Sequence, residues 1–153
     1  MYLYNNNKAK LFDHKNGKVI KFNHKIEFKK NIYEFISSGK LTPNDELYVD
    51  HIIVEKIVEN KYLIQCFPTR ENKKSNLELT VKLKPCNTDL IRFYFLDLSN
   101  NIHKNLIASL KEKLDGNYNF IIESYKTDYK NGFKINNAIK KIEKVNFKIL
   151  LND

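Results

Sequence analysis

Asp50 and His51 stand side by side in the stretch "LYVDHIIVEK", Leu47 to Lys56. A carboxylate and an imidazole can divide the work of hydrolysis. The carboxylate holds a divalent metal and the imidazole takes a proton from water. The same two residues can equally be polar positions in a run rich in Val and Ile. On a regular strand, successive side chains point to opposite faces, so the two converge only at a bulge or a strand end. The other histidines offer less. His24 falls on the apolar face of a strand pattern and reads as a hydrogen-bonded core residue, and His14 precedes a turn and reads as solvated. His103 opens a helix pattern, where positive charge opposes the dipole.

The segment "VDHII" resembles the first-strand motif of His-Asn-His (HNH) nucleases. The resemblance implies that His51 is the base and Asp50 a metal ligand. It also implies that Asn76 orders a loop and that Asn87 or His103 completes the metal site. The surroundings depart from that family's pattern. The strand pattern runs on through "VEKIV", no Gly-rich loop follows, and "SNLELTVKLKPCN" alternates at period two where a helix is needed.

Other chemistry is sparse. Cys66 and Cys86 lie 20 positions apart without a CxxC and read as buried free thiols. No four-ligand zinc spacing occurs. The chain holds only four glycines and has no GxxxxGK, GxGxxG or GxSxG segment. That composition argues against nucleotide-dependent enzymes and Ser-His-Asp hydrolases. No metal and no cofactor is expected.

Charge is the stronger signal. The chain of 153 residues carries a formal net charge of +9, with 25 lysines and only two arginines, Arg70 and Arg92. With 21 asparagines and 17 isoleucines, the composition is the one AT-rich codons specify. Few arginines argue against bidentate reading of base edges, whereas lysine suffices for non-specific attraction to phosphates. The charge is uneven: +6 over residues 1–40, −2 over 41–70, +1 over 71–98 and +4 over 99–153. The basic character therefore lies towards the two ends of the chain.

Periodicity supplies the elements that must carry these residues. "KAKLFDHKNGKVIKFNHKIEF" reads as a hairpin turning tightly at Asn16-Gly17, with Ile20, Phe22, His24, Ile26 and Phe28 on one face. Residues 29–40 read as a short helix with Ile32, Phe35 and Ile36 at helical spacing and Gly39 as its cap. "TPND" (42–45) reads as a turn. Residues 46–58 and 61–67 read as a second hairpin, 76–84 as a half-exposed strand, and "LIRFYFLDL" as a central strand. "SNNIHKNLIASLKEKLDG" predicts a helix capped by Ser99 or Asn100, with Ile102, Leu106, Ile107, Leu110 and Leu114 as its stripe and Gly116 at its end. "NYNFIIESYK" predicts a strand, and the last segment a short helix followed by an edge strand.

The expected fold is thus one α+β domain over residues 1–153: a mostly antiparallel sheet built from hairpins, with two or three helices packed on it. The composition suits a globular chain, and no run approaches the ~18 apolar residues of a membrane span. "MYLYNNNKAK" lacks the features of a secretory signal, so a soluble, cytoplasmic protein is expected, with no membrane association. The expected activity is binding rather than catalysis. Lys8, Lys10, Lys15, Lys18, Lys21, Lys25, Lys29 and Lys30, with Tyr2, Tyr4 and Phe12 nearby, predict a surface for nucleic-acid backbone. The alternative is a phage or mobile-element accessory protein that docks on a host protein, with the acidic stretch 44–59 offering a sheet edge. A small nuclease built on His51 and Asp50 stands third.

Overall fold

A computed structural model describes residues 2–5, 7–13, 16–40, 47–93, 96, 98–139 and 147–150, with backbone alone for 2–5 and 147. Among the described residues there are ten strands and one helix. The expectation of two or three helices on one sheet is therefore corrected: the protein is mostly β, in two five-stranded sheets. The chain divides into two compact units, residues 1–42 with 142–153, and residues 43–141.

The first unit holds β1 (Tyr2–Asn5), β2 (Lys8–Asp13), β3 (Lys18–Glu27), β4 (Lys30–Lys40) and β10 (Phe147–Leu150), in the order β1-β2-β3-β4-β10. The first hairpin forms as expected, but Asp13 pairs with Lys18, so the strands do not close on a two-residue turn at Asn16-Gly17. Gly17 takes a φ of 62°, and both Asp13 carboxylate oxygens accept hydrogen bonds from Asn16. The helix expected over 29–40 is instead β4, paired with β3 from Glu27↔Lys30 to Lys18↔Lys40. Ile32, Tyr33, Phe35 and Ile36 are β-branched or aromatic, and a long ladder on β3 outweighs their helical spacing. The register shift between Lys21 and Phe22 leaves Ile36 as the extra residue of a bulge, so spacing beyond it no longer follows one period. β10 is an edge strand, as expected, and lies parallel to β4. Ala9, Phe22 and Tyr33 are buried on one face of this sheet, with Leu11, Ile20 and Phe35 packed against them. His24 shares that face: its Nε2 lies 2.8 Å from Asn31 Oδ1 and its ring stacks on Tyr33.

The second unit is an antiparallel meander of β5 (His51–Val58), β6 (Lys61–Phe67), β7 (Leu77–Pro85), β8 (Phe120–Asp128) and β9 (Lys134–Ala138). Helix α1 (Asn100–Lys111) lies in the connection from β7 to β8. Ser99 caps it through Ile102 N–H, and Ile102, His103, Leu106 and Leu110 are its buried side. They pack on Ile64, Cys66, Leu77, Leu79 and Val81, which line the inner face of the sheet. Burial pushes the Cys66 thiol up to about 12, which keeps it an inert core group. Two expectations fail here. The stretch 90–98 is not a strand in its described residues and makes only the single bridge Leu90↔Ile121. Ile91, Phe93, Leu96 and Leu98 are buried in the core although none of them lies in a strand. The helix expected after residue 134 begins as β9, which pairs with β8 from Asp128↔Lys134 to Ser124↔Ala138. The rest of that expected helix (140–146), the 42–45 turn and His14 lie outside the described residues.

Candidate functional site

Strand alternation and ladder register decide which lysines share a surface. In β2 and β3, Ala9 pairs with Phe22 on the buried face. Lys8↔Asn23 and Lys10↔Lys21 therefore lie on the other face. Lys21 continues to Ser37 of β4, Asn23 to Glu34, Lys25 to Ile32 and Glu27 to Lys30. β10 then sets Lys148 beside Ile32. One face of the sheet thus carries Lys8, Lys10, Lys21, Lys25, Lys30 and Lys148, with Glu27 and Glu34 as its acidic residues among those described. Phe12 joins Lys8 and Lys10 by alternation and is half exposed.

The remaining expected lysines are placed differently. Lys18 pairs with Asp13 and Lys40, on the face of Phe22. Lys29 sits in the β3–β4 turn. Lys15, and the side chains of Tyr2 and Tyr4, lie outside the described residues. Lys25 is already occupied: its Nζ lies 2.5 Å from Glu34 and 3.0 Å from Glu27. The hydrogen bonds to Glu34 and then Glu27 raise its pKa, and the trio together is acidic rather than basic. Lys148 is the residue that sequence reasoning missed. The +4 charge of residues 99–153 hinted at it, but only the parallel pairing of β10 with β4 brings it to the N-terminal lysines.

Asp50 and His51 stand at the start of β5, a strand end of the kind at which such a pair can converge. Asp50 is exposed before β5, and its N–H donates to Phe67 O at 3.1 Å. His51 opens β5 opposite Phe67, with the two rings 6.0 Å apart. Asn76 does order a connection: its Nδ2 donates to Tyr48 O at 2.7 Å and its N–H to Cys66 O at 2.9 Å. The segment that follows is strand β7, however, so the helix implied by the nuclease resemblance does not form. Asn87 is exposed beyond β7. His103 is buried in α1, its Nε2 2.8 Å from Leu96 O. Among the described residues no group of three or more His, Cys, Asp or Glu is placed to hold a metal ion.

A different polar cluster lies in the second unit. Glu78 accepts from Gln65 Nε2 at 3.0 Å, Ser75 Oγ at 2.9 Å and Lys130 Nζ at 2.5 Å. Lys130 and Lys134 both reach Asp128. These charges satisfy one another and tie β6, β7 and β8 together.

Comparison with protein-family models, curated proteins and solved structures finds no match for this chain. Among the described residues no helix is long and apolar enough to cross a membrane.

Proposed function

We propose that this protein binds nucleic-acid backbone through the lysine face of its first sheet. The observation that carries the reading is the register that sets Lys8, Lys10, Lys21, Lys25, Lys30 and Lys148 on one face against two glutamates. The first unit as a whole holds eleven lysines against five acidic residues, or +6 of the total +9. Lysines that neutralise phosphates release counterions, which makes such binding steeply salt-dependent and indifferent to sequence. The test is binding to DNA and RNA oligonucleotides at ~50 and ~200 mM salt, where a phosphate-driven binder making about five contacts weakens by a few hundredfold. No binding at the lower salt overturns the reading.

A second reading has its own support. β5 is an edge strand of the second sheet, with Ile53, Ile57 and Val58 exposed. Beside it a groove of about 190 Å³ runs between Ile52–Val54 and the α1 side, at Ser109, Glu112 and Lys113. A strand edge next to a helix is where an extended peptide adds to a sheet. In this reading the protein docks on a host protein. Replacing Val54 or Lys56 by proline would block strand addition without touching the lysine face.

A further inference from the structure

The β3–β4 hairpin ends in a turn that its residues do not suit. Glu27 pairs with Lys30, so Phe28 and Lys29 alone make the turn, at φ 49° and 62°. A two-residue turn with both residues at positive φ favours Asn and Gly. At most other positive-φ positions the chain places Gly, Asn or Asp, with Lys130 the further exception. Asn60 turns the β5–β6 hairpin, and Gly17, Gly116 and Gly132 serve other bends. Among the described residues at positive φ, Phe28 is the one apolar side chain. It is also 97% exposed, and Ile26 beside it is 69% exposed. Phe28 therefore neither helps the turn nor fills the core. A bulky aromatic held in strained backbone at a protruding tip is a feature for contact with something outside the chain.

The charges around it say what. Lys29 and Lys30 follow Phe28, and beyond the Lys25–Glu27–Glu34 trio the same face carries Lys21 and Lys10. From Glu27 to Lys21 is six residues, roughly 20 Å of strand. A track of this kind suits a chain-like polyanion lying along the hairpin. A membrane surface would be met by basic residues ringed about the tip. A tip aromatic beside lysines gives an unpaired base a stacking partner while the backbone is held by charge.

We infer that Phe28 stacks on an unpaired base, so that the ligand of the lysine face is single-stranded nucleic acid. This inference rests on the nucleic-acid reading given above. The chain contains no tryptophan, so Phe28→Trp places a single reporter at the tip. The probes are a twenty-nucleotide oligothymidine, a duplex of equal length, and vesicles of mixed phosphatidylserine and phosphatidylcholine. The expected result is quenching of the tryptophan by oligothymidine and much less by duplex. Phe28→Asn, which suits the turn and should fold, is expected to weaken oligothymidine binding roughly tenfold, the loss of one base–aromatic stack. Its duplex binding should stay unchanged. If Phe28→Asn binds oligothymidine as tightly as wild type, while Lys10→Glu and Lys21→Glu together abolish binding, the inference fails and the nucleic-acid reading stands. If wild type binds neither nucleic acid at ~50 mM salt, both fail. Quenching by vesicles alone also overturns the inference and marks the tip as membrane-seeking.

Discussion

Lys10 and Lys21 stand directly opposite each other across β2 and β3, on the exposed face of the first sheet. Like charges in cross-strand register destabilise a sheet, by a few tenths of a kcal/mol up to about 1 kcal/mol. A bound polyanion turns that repulsion into attraction. Lys21→Glu is therefore expected to raise stability by about 0.5 kcal/mol, a Tm increase of roughly 1–2 °C, while weakening nucleic-acid binding. Thermal melts beside a binding titration check both. A destabilised variant would mean that Lys21 is held by contacts other than charge.

The Lys25–Glu27–Glu34 trio sits within the lysine face as an acidic spot. Glu34, first, and Glu27 raise the pKa of Lys25, so its contribution to stability persists at neutral pH and is lost only as pH rises through the folded value above 10.5. Glu34→Gln releases one positive charge to the ligand. Affinity for an oligonucleotide should rise several-fold at low salt, and the salt slope should steepen by about 0.7. An unchanged slope would place the ligand away from Lys25.

Glu78 governs part of the acid limb of stability. Its hydrogen bond from Lys130 above all, with those from Gln65 and Ser75, holds its carboxyl below the usual range despite partial burial. Glu123 and Asp128 are shifted the same way by Lys82 and Lys134. A depressed folded pKa means that the unfolded chain binds more protons. The stability is present above the unfolded value of about 4.3 and is lost as pH falls through the folded one. Glu78→Gln should lower stability at neutral pH by about 1 kcal/mol and flatten the loss on acidification. Urea unfolding across that range measures it, and an acid limb identical to wild type would contradict it.

Thr127 is 2% exposed on the inner face of β8, opposite Leu79, and its hydroxyl has no hydrogen-bond partner among the described residues. Burying an unpaired hydroxyl costs about 1–3 kcal/mol. Thr127→Val keeps the shape and removes the orphan, so stability should rise by about 1 kcal/mol. A loss on denaturant melting would reveal a partner for that oxygen.

Sequence periodicity read the local elements well and the long-range ones poorly. The β2–β3 and β5–β6 hairpins, β7 and α1 were legible because turn residues, alternation and a cap all agree within a few positions. β4 was misread because Ile32, Phe35 and Ile36 match helical spacing, and the bulge at Ile36 breaks the alternation that would have marked a strand. Residues 90–98 look like a central strand because they are apolar on both sides, yet their described part is core-packed irregular chain. The lysine face was half legible. Alternation put Lys21 and Lys25 together. Lys148 was not, since no local pattern announces a parallel pairing between segments more than a hundred residues apart. The strain at Phe28 was likewise hidden, because Phe-Lys carries no turn signal.

The central claim is that the lysines of one sheet face hold nucleic-acid backbone. Its most direct test compares wild type with a variant in which Lys8, Lys10 and Lys21 are all glutamine. The measurement is oligothymidine affinity across a series of salt concentrations. If the face binds phosphates, wild type shows a steep slope of log affinity against log salt, and the variant's slope is shallower by about two, near 0.7 for each lysine removed. Equal slopes and equal affinities would contradict it.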